Sequence, residues 1–148
     1  MISLLCAAVY YLGVSGSFLM PQGGSEFSRA GGLVARGGAY VSDDFALEAS
    51  AGAIEKYASL GARGLYHLQG FELYNRFFGY SRFDPFATIG VAGLIGSERG
   101  QVGPEAGLGA FYHFDDHWSL RFDMSAALGL ESRREMLYNL SVGVQWEF

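Results

Sequence analysis

The segment Phe111-Tyr112-His113-Phe114-Asp115-Asp116-His117-Trp118-Ser119 concentrates the side chains of this sequence best suited to chemistry. A serine, two histidines and two aspartates in so short a run are the ingredients of a Ser-His-Asp hydrolase. In such a site the imidazole takes the serine proton and the carboxylate holds the ring. The same histidines with Asp115 and Asp116 could ligate a metal, but no helical or strand spacing converges them on one ion. Asp-Asp-His between two regularly patterned segments is turn chemistry. The expectation is therefore a solvated polar turn, with no catalytic residue, no metal and no cofactor. Glycine motifs give the same answer. Gly90-Val91-Ala92-Gly93 and Gly107-Leu108-Gly109 sit inside strand patterns with no helix following, so they do not cradle a phosphate.

A second set of chemically capable residues is spread along the chain. Arg36, Glu48, Arg63, Glu105, Arg121 and Asp123 each fall on the polar phase of an alternating segment, and Glu147 falls on that phase at the chain's end. The six are three arginines and three acids, a neutral set. Charges enclosed in a low-dielectric interior must pair, because leaving one alone costs several kcal/mol. Arg36 and Glu48 flank Ser42-Asp43-Asp44 at nearly equal distance, which predicts pairing across that hairpin. Arg121 and Asp123 are expected to join the same interior polar network. Its bland reading is a salt-bridged plug; its functional one is a gated, narrow conduction path.

The elements that must position these residues are strands. Met136, Tyr138, Leu140, Val142, Val144, Trp146 and Phe148 alternate with Leu137, Asn139, Ser141, Gly143, Gln145 and Glu147. Period two puts one set on each face of a strand. The segment is long enough for a tilted strand crossing a bilayer, which takes roughly 9–11 residues. Equivalent stripes begin at Tyr10, Leu33, Phe45, Ala62, Ala87, Ala106 and Trp118, giving about eight strands. Ser42-Asp43-Asp44 and Asp115-Asp116-His117 read as tight turns. Gln22 to Arg29, Glu55 to Leu60, Gly96 to Pro104 and Gly129 to Glu135 read as longer loops at the opposite rim. Between the fourth and fifth strands, Phe71 to Asp84 is too long for a tight turn. Residues 72–78 there read either as a helical turn at a membrane interface or as an extension of the fourth strand.

Alternation alone does not separate a membrane barrel from a soluble one. The charges do. No stripe residue is charged, and the opposite phase is mostly small, with few of the lysines and acids a solvated exterior carries. An eight-stranded barrel has an interior just wide enough for side chains to fill. Small residues inside leave room for the charged few, so the apolar stripes must face lipid. Tyr112, Phe114, Trp118, Trp146 and Phe148 fall near the short-turn rim, with Phe18, Tyr57 and Tyr138 toward the longer loops, as headgroup girdles do. Composition agrees: charged residues are 17% and Lys56 is the only lysine, against about 25% charged in soluble domains. The net charge of −5 offers no basic patch and excludes a nucleic-acid partner. No stretch is long enough for a membrane-spanning helix. Residues 1–8 are assigned to a signal peptide truncated at its front, the alternative being a lead-in to the first strand; residues 9–148 form the barrel domain. Cys6 is the only cysteine, which excludes a disulfide framework, and Leu5 before it argues against lipidation.

The tail Ser141-Val142-Gly143-Val144-Gln145-Trp146-Glu147-Phe148 resembles the C-terminal assembly signal of outer-membrane barrels: polar, any, Gly, any, any, aromatic, any, aromatic. Ser141, Gly143, Trp146 and Phe148 occupy its fixed positions. With eight matching strands, the chain from Tyr10 onward is similar to the small outer-membrane barrels of the opacity-protein and OmpA-transmembrane type. The resemblance implies an all-β, closed, up-and-down antiparallel transmembrane β-barrel in the bacterial outer membrane, inserted by the outer-membrane assembly machinery. It does not imply one activity, because a fold does not fix a function. The expected role is structural or surface-exposed and non-enzymatic, with the lipid bilayer as partner and no surface partner identifiable. The competing classes are a small porin-like channel, a soluble lipocalin-like ligand-binding barrel and, more distantly, an enzyme of lipid A, whose known motifs are not matched.

Overall fold

The computed structural model describes residues 9–22, 29–68, 82–97, 100–130 and 135–148. Period-two patterning yields eight strands: β1 (Tyr10–Pro21), β2 (Ala30–Ser42), β3 (Phe45–Ile54), β4 (Tyr57–His67), β5 (Phe83–Ile95), β6 (Gly100–His113), β7 (Trp118–Leu128) and β8 (Met136–Glu147). Each pairs antiparallel with its sequence neighbours, and β1 pairs with β8 through Val14↔Val144, closing the barrel. Closure leaves no sheet edge with unpaired backbone groups, the condition for a sheet to sit in hydrocarbon.

The two faces separate cleanly. Ile89 is 73% exposed, Leu33 66% and Leu108 54%, whereas Arg121 is 3% and Glu48 4%. Apolar stripes therefore point outward and the ionised groups inward, the inverse of a soluble fold. Inward glycines make room for the largest enclosed rings. A Cβ on Gly109 would lie 2.3 Å from the Phe86 ring, and one on Gly38 would lie 2.4 Å from that of Tyr11. These glycines are cavities for aromatic neighbours rather than turn formers.

Two features differ from the sequence expectation. The segment Glu55 to Leu60 is not a loop: β3 and β4 are joined by Glu55 and Lys56 alone, with Ile54 opposite Tyr57. This places Tyr57 on the inward phase, 7% exposed, so it is no part of a headgroup girdle. Gly96 to Pro104 is likewise shorter than expected, because β6 begins at Gly100 and carries Pro104 within it, opposite Val91. Pro104 lies just past Glu105↔Ala127, the last registered pair between β6 and β7. The strand holds its proline just beyond the registered ladder with β7, a position where a missing N–H is tolerated. As the spacing indicates, the connection between β4 and β5 is long, and it joins strand ends on the rim of the tight turn at Asp43-Asp44. Residues 1–8 and 72–78, the signal-peptide and helical-turn assignments, lie outside the described residues.

Among the described residues Glu55 is the non-glycine residue at positive φ, 49°, in the two-residue turn between β3 and β4. The left-handed region costs an L-residue about 1–2 kcal/mol. Replacing Glu55 by Gly removes that cost and adds some unfolded-state entropy. Glu55→Gly is expected to raise stability by about 0.5–1 kcal/mol, read as a higher midpoint in urea unfolding of the lipid- or micelle-bound protein.

Candidate functional site

The inward charges of β2, β3, β4, β6 and β7 meet in one layer near the middle of the barrel. Glu48 is its hub, with a side chain that is 0% exposed. Arg63 Nε donates to Glu48 Oε1 at 2.7 Å, Arg121 donates to both carboxylate oxygens, and Tyr11 Oη donates to Oε2 at 3.0 Å. Asp123 is the second anionic centre. It accepts from Arg63 Nη1 at 3.1 Å, Arg121 Nε at 3.0 Å and Ser141 Oγ at 3.0 Å. Arg36 is more peripheral: its guanidinium is 3.7 Å from each of Glu48 and Asp123, and it donates to the hydroxyls of Ser15 and Ser141. Glu105 touches the layer once, 3.6 Å from Arg63 Nη1.

Register explains the hierarchy. Glu48 stands directly opposite Arg63 across β3 and β4, whereas Arg36 faces Ser50 and meets Glu48 only on the diagonal. The tightest partners of Glu48 are thus Arg63 and Arg121, not the hairpin neighbour Arg36. Arg121 reaches Glu48 from β7, across the lumen, which ties opposite walls together.

The ion layer is bounded on both sides. Toward the chain ends lie Tyr11, Ala46, Leu65, Phe86 and Phe111, with Tyr40 packed against them. Arg121 lies 5.0 Å above the Phe86 ring and 5.1 Å above that of Phe111, placing the cation on two aromatic faces. Toward the opposite rim, Leu19, Ala30, Val34, Ile54, Tyr57, Leu94 and Leu137 form an apolar roof.

Beyond the aromatic floor is a second polar cluster. His67 Nδ1 lies 2.5 Å from Asp84 Oδ2, His113 Nε2 lies 3.9 Å from the same oxygen, and Ser119 Oγ lies 2.7 Å from His113 Nδ1. Serine, imidazole and carboxylate are in the right order for acyl transfer, but Ser119 is 1% exposed and faces the packed interior. A nucleophile in that position has no room for a substrate carbonyl. Asp115, Asp116 and His117 are not part of it. Asp115 instead accepts from the backbone N–H groups of His117 and Trp118, which hold its carboxyl below the usual range. Among the described residues no group of three side chains is placed to hold a metal. Asp84 and His67 are functional-looking residues that sequence reading passed over. Spacing places Asp84 in the long connection, whereas in the structure it shares the inward phase of Phe86 and Thr88.

Outside, aromatic side chains gather at the rim of the chain ends. Tyr112, Phe114 and Trp118 are exposed there, with Trp118 6.4 Å from Trp146 and Trp146 5.0 Å from Phe148. Tyr138 is exposed near the other rim, at the start of β8. Within the tail, Trp146 and Phe148 face outward, while Ser141 is buried inside.

No protein-family model and no curated protein matches this sequence. Solved structures do match. The N-terminal β-barrel domain of Pseudomonas aeruginosa OprF superposes with a TM-score of 0.65 at 18% identity, covering 93% of this chain and 97% of that one. The chain has the fold of a small outer-membrane barrel. Neisserial surface protein A (NspA) aligns over 94% of this chain and 97% of its own, with a TM-score of 0.63 and 17% identity. The outer membrane protein OprG of P. aeruginosa gives 0.65 at 11% identity, over 95% of each chain. Identity this low carries the architecture and nothing finer.

The unequal roles within the ion layer are measurable. Glu48→Gln removes the charge that three guanidiniums share and is expected to cost about 3–5 kcal/mol. Glu105→Gln, which loses one long contact, should cost clearly less than that. Urea unfolding of the two variants in one lipid system checks the order, and equal losses would show that Glu48 is not the hub.

Proposed function

We propose that this protein is an integral outer-membrane barrel with a sealed, salt-bridged interior and a structural or surface role rather than an enzymatic one. The observation that carries the reading is the sequence of layers across the lumen. A neutral ion network lies between an aromatic floor and a mostly aliphatic roof, so buried apolar clusters flank the charges on both sides. The apolar exterior and the clustered aromatics at the rim of the chain ends support lipid as the surrounding medium. The burial of Ser119 supports the non-enzymatic reading. The pattern Ser141, Gly143, Trp146 and Phe148 on the last strand supports insertion by the outer-membrane assembly machinery. The tight turn at Glu55-Lys56 offers little surface for adhesion, which favours an anchoring role.

Cell fractionation and gel mobility test the location: the protein should partition with outer membranes and migrate differently before and after boiling. Recovery in the soluble extract would overturn it. Ile89→Arg sharpens the test, because an arginine on a lipid-facing midplane position costs about 2–4 kcal/mol, whereas on a water-facing surface it is nearly neutral. Purified protein in planar bilayers should pass little or no current; steady single-channel conductance would instead favour the porin-like class.

A further inference from the structure

The ion layer is electrically complete in itself, since Arg36, Arg63 and Arg121 balance Glu48, Glu105 and Asp123. The chain-end mouth must therefore balance its own charges. Asp84 is 6% exposed there, and among the described residues the basic groups that pair with its carboxylate are imidazoles, His67 at 2.5 Å and His113 at 3.9 Å. Glu147 is the other acid of the mouth, accepting from Tyr40 Oη at 3.3 Å and Gln145 Nε2 at 3.2 Å. With both imidazoles protonated, His67, His113, Asp84 and Glu147 form a neutral set. With both deprotonated, the set keeps its two acids and has no cation. An enclosed carboxylate without a cation is strongly destabilising.

We propose that His67, Asp84 and His113 form a proton-operated clasp that ties β4, β5 and β6 together at the chain-end mouth and loosens when the imidazoles lose their protons. Placement suits the task. His67 is the last residue of β4, Asp84 the second of β5 and His113 the last of β6. The protonated His67 Nδ1 donates to Asp84 Oδ2, and its ring lies flat on Phe111, centroids 5.8 Å apart at 11°, where a cation gains the aromatic face. The His113 side chain is 30% exposed and gives protons a way in, whereas that of His67 is 5% exposed. The other ionisable groups around the clasp are Tyr40 on β2, Glu147 on β8 and Arg121 on β7 beneath the floor, and Ser119 Oγ on β7 is hydrogen-bonded to His113. Asp44 and Arg82 join it through their backbone carbonyls, which accept from the His67 and His113 amides at 2.8 Å each. Carboxylates, phenols and guanidiniums do not ordinarily change charge between about pH 5.5 and 8, and imidazole does. The clasp is thus closed at the acid end of that window and loosened at the other.

The test uses the intact protein in detergent micelles and reads hydrogen-exchange protection at the His67 and His113 amides, corrected for intrinsic rates. Protection in the native chain should fall about tenfold or more between about pH 5.5 and 8, while that of Leu94 at the far rim holds steady. Asp84→Asn removes the anion and should abolish most of the fall. His117→Gln, in an exposed turn outside the cluster, should leave it intact. Constant protection in the native chain, an equal fall at Leu94, or an undiminished fall in Asp84→Asn would each overturn the clasp. If Asp84→Asn does not fold, His113→Gln replaces it: its fall should be smaller than the native one, and an equal fall counts against the proposal. These outcomes do not turn on whether the barrel is an anchor or a channel, so this inference and the functional reading fail separately.

Discussion

Everything inside the barrel is arranged around the cost of enclosing a carboxylate. Glu48 is fully removed from solvent, and a lone ion there would be destabilising by several kcal/mol. Its neutralisation by Arg63, Arg121 and Arg36 fixes which residues of five strands must share one level. Asp123 then balances the surplus of guanidinium charge. Because Arg121 extends from β7 to an acid on β3, the network sets the distance between opposite walls as well as between neighbours. The glycines beside Phe86 and Tyr11 follow from the same requirement, since rings that seat Arg121 and hydrogen-bond Glu48 need space that a Cβ would take.

The strand order and the facing of each strand were legible because a two-residue period is a direct image of the pleat. In β8 the stripe from Met136 to Phe148 specifies one face, and the charge-free stripes elsewhere specify that this face points outward. Arg36, Glu48, Arg63, Glu105, Arg121 and Asp123 were identifiable as an enclosed group by phase and charge balance alone. Their individual partners were not. Pairing depends on register and on reach across the lumen, and neither is encoded by spacing along one strand. Hence spacing pairs Arg36 with Glu48, and the two do lie 3.7 Å apart, but the closest arginines to that acid come from β4 and β7.

Turns were the other illegible part, for a different reason. Lys56 and Ser59 read as loop residues by polarity, but in an inverted fold a serine such as Ser59 faces the lumen and belongs to the strand. Polarity therefore marks the inner face as strongly as it marks a connection. The same ambiguity hid Asp84 and placed Tyr57 on the wrong side. A proline is usually a boundary, and Pro104 is not one because it keeps its place opposite Val91 on β5 while lying beyond the last registered pair with β7.

The seam between β1 and β8 has a further consequence. Seven seams join strands adjacent in sequence, and this one joins the first to the last. Hairpins can zip locally, but the ring is completed by a single long-range event whose entropic cost falls on that one step. Until then both outer strands are open edges. The hydrogen bond from Arg36 to Ser141 and the contacts of Arg121 with Glu48 also wait for the sheet to curl shut. Covering the edges and discharging the ion network thus become one cooperative transition, and a nearly closed sheet suffers both penalties at once.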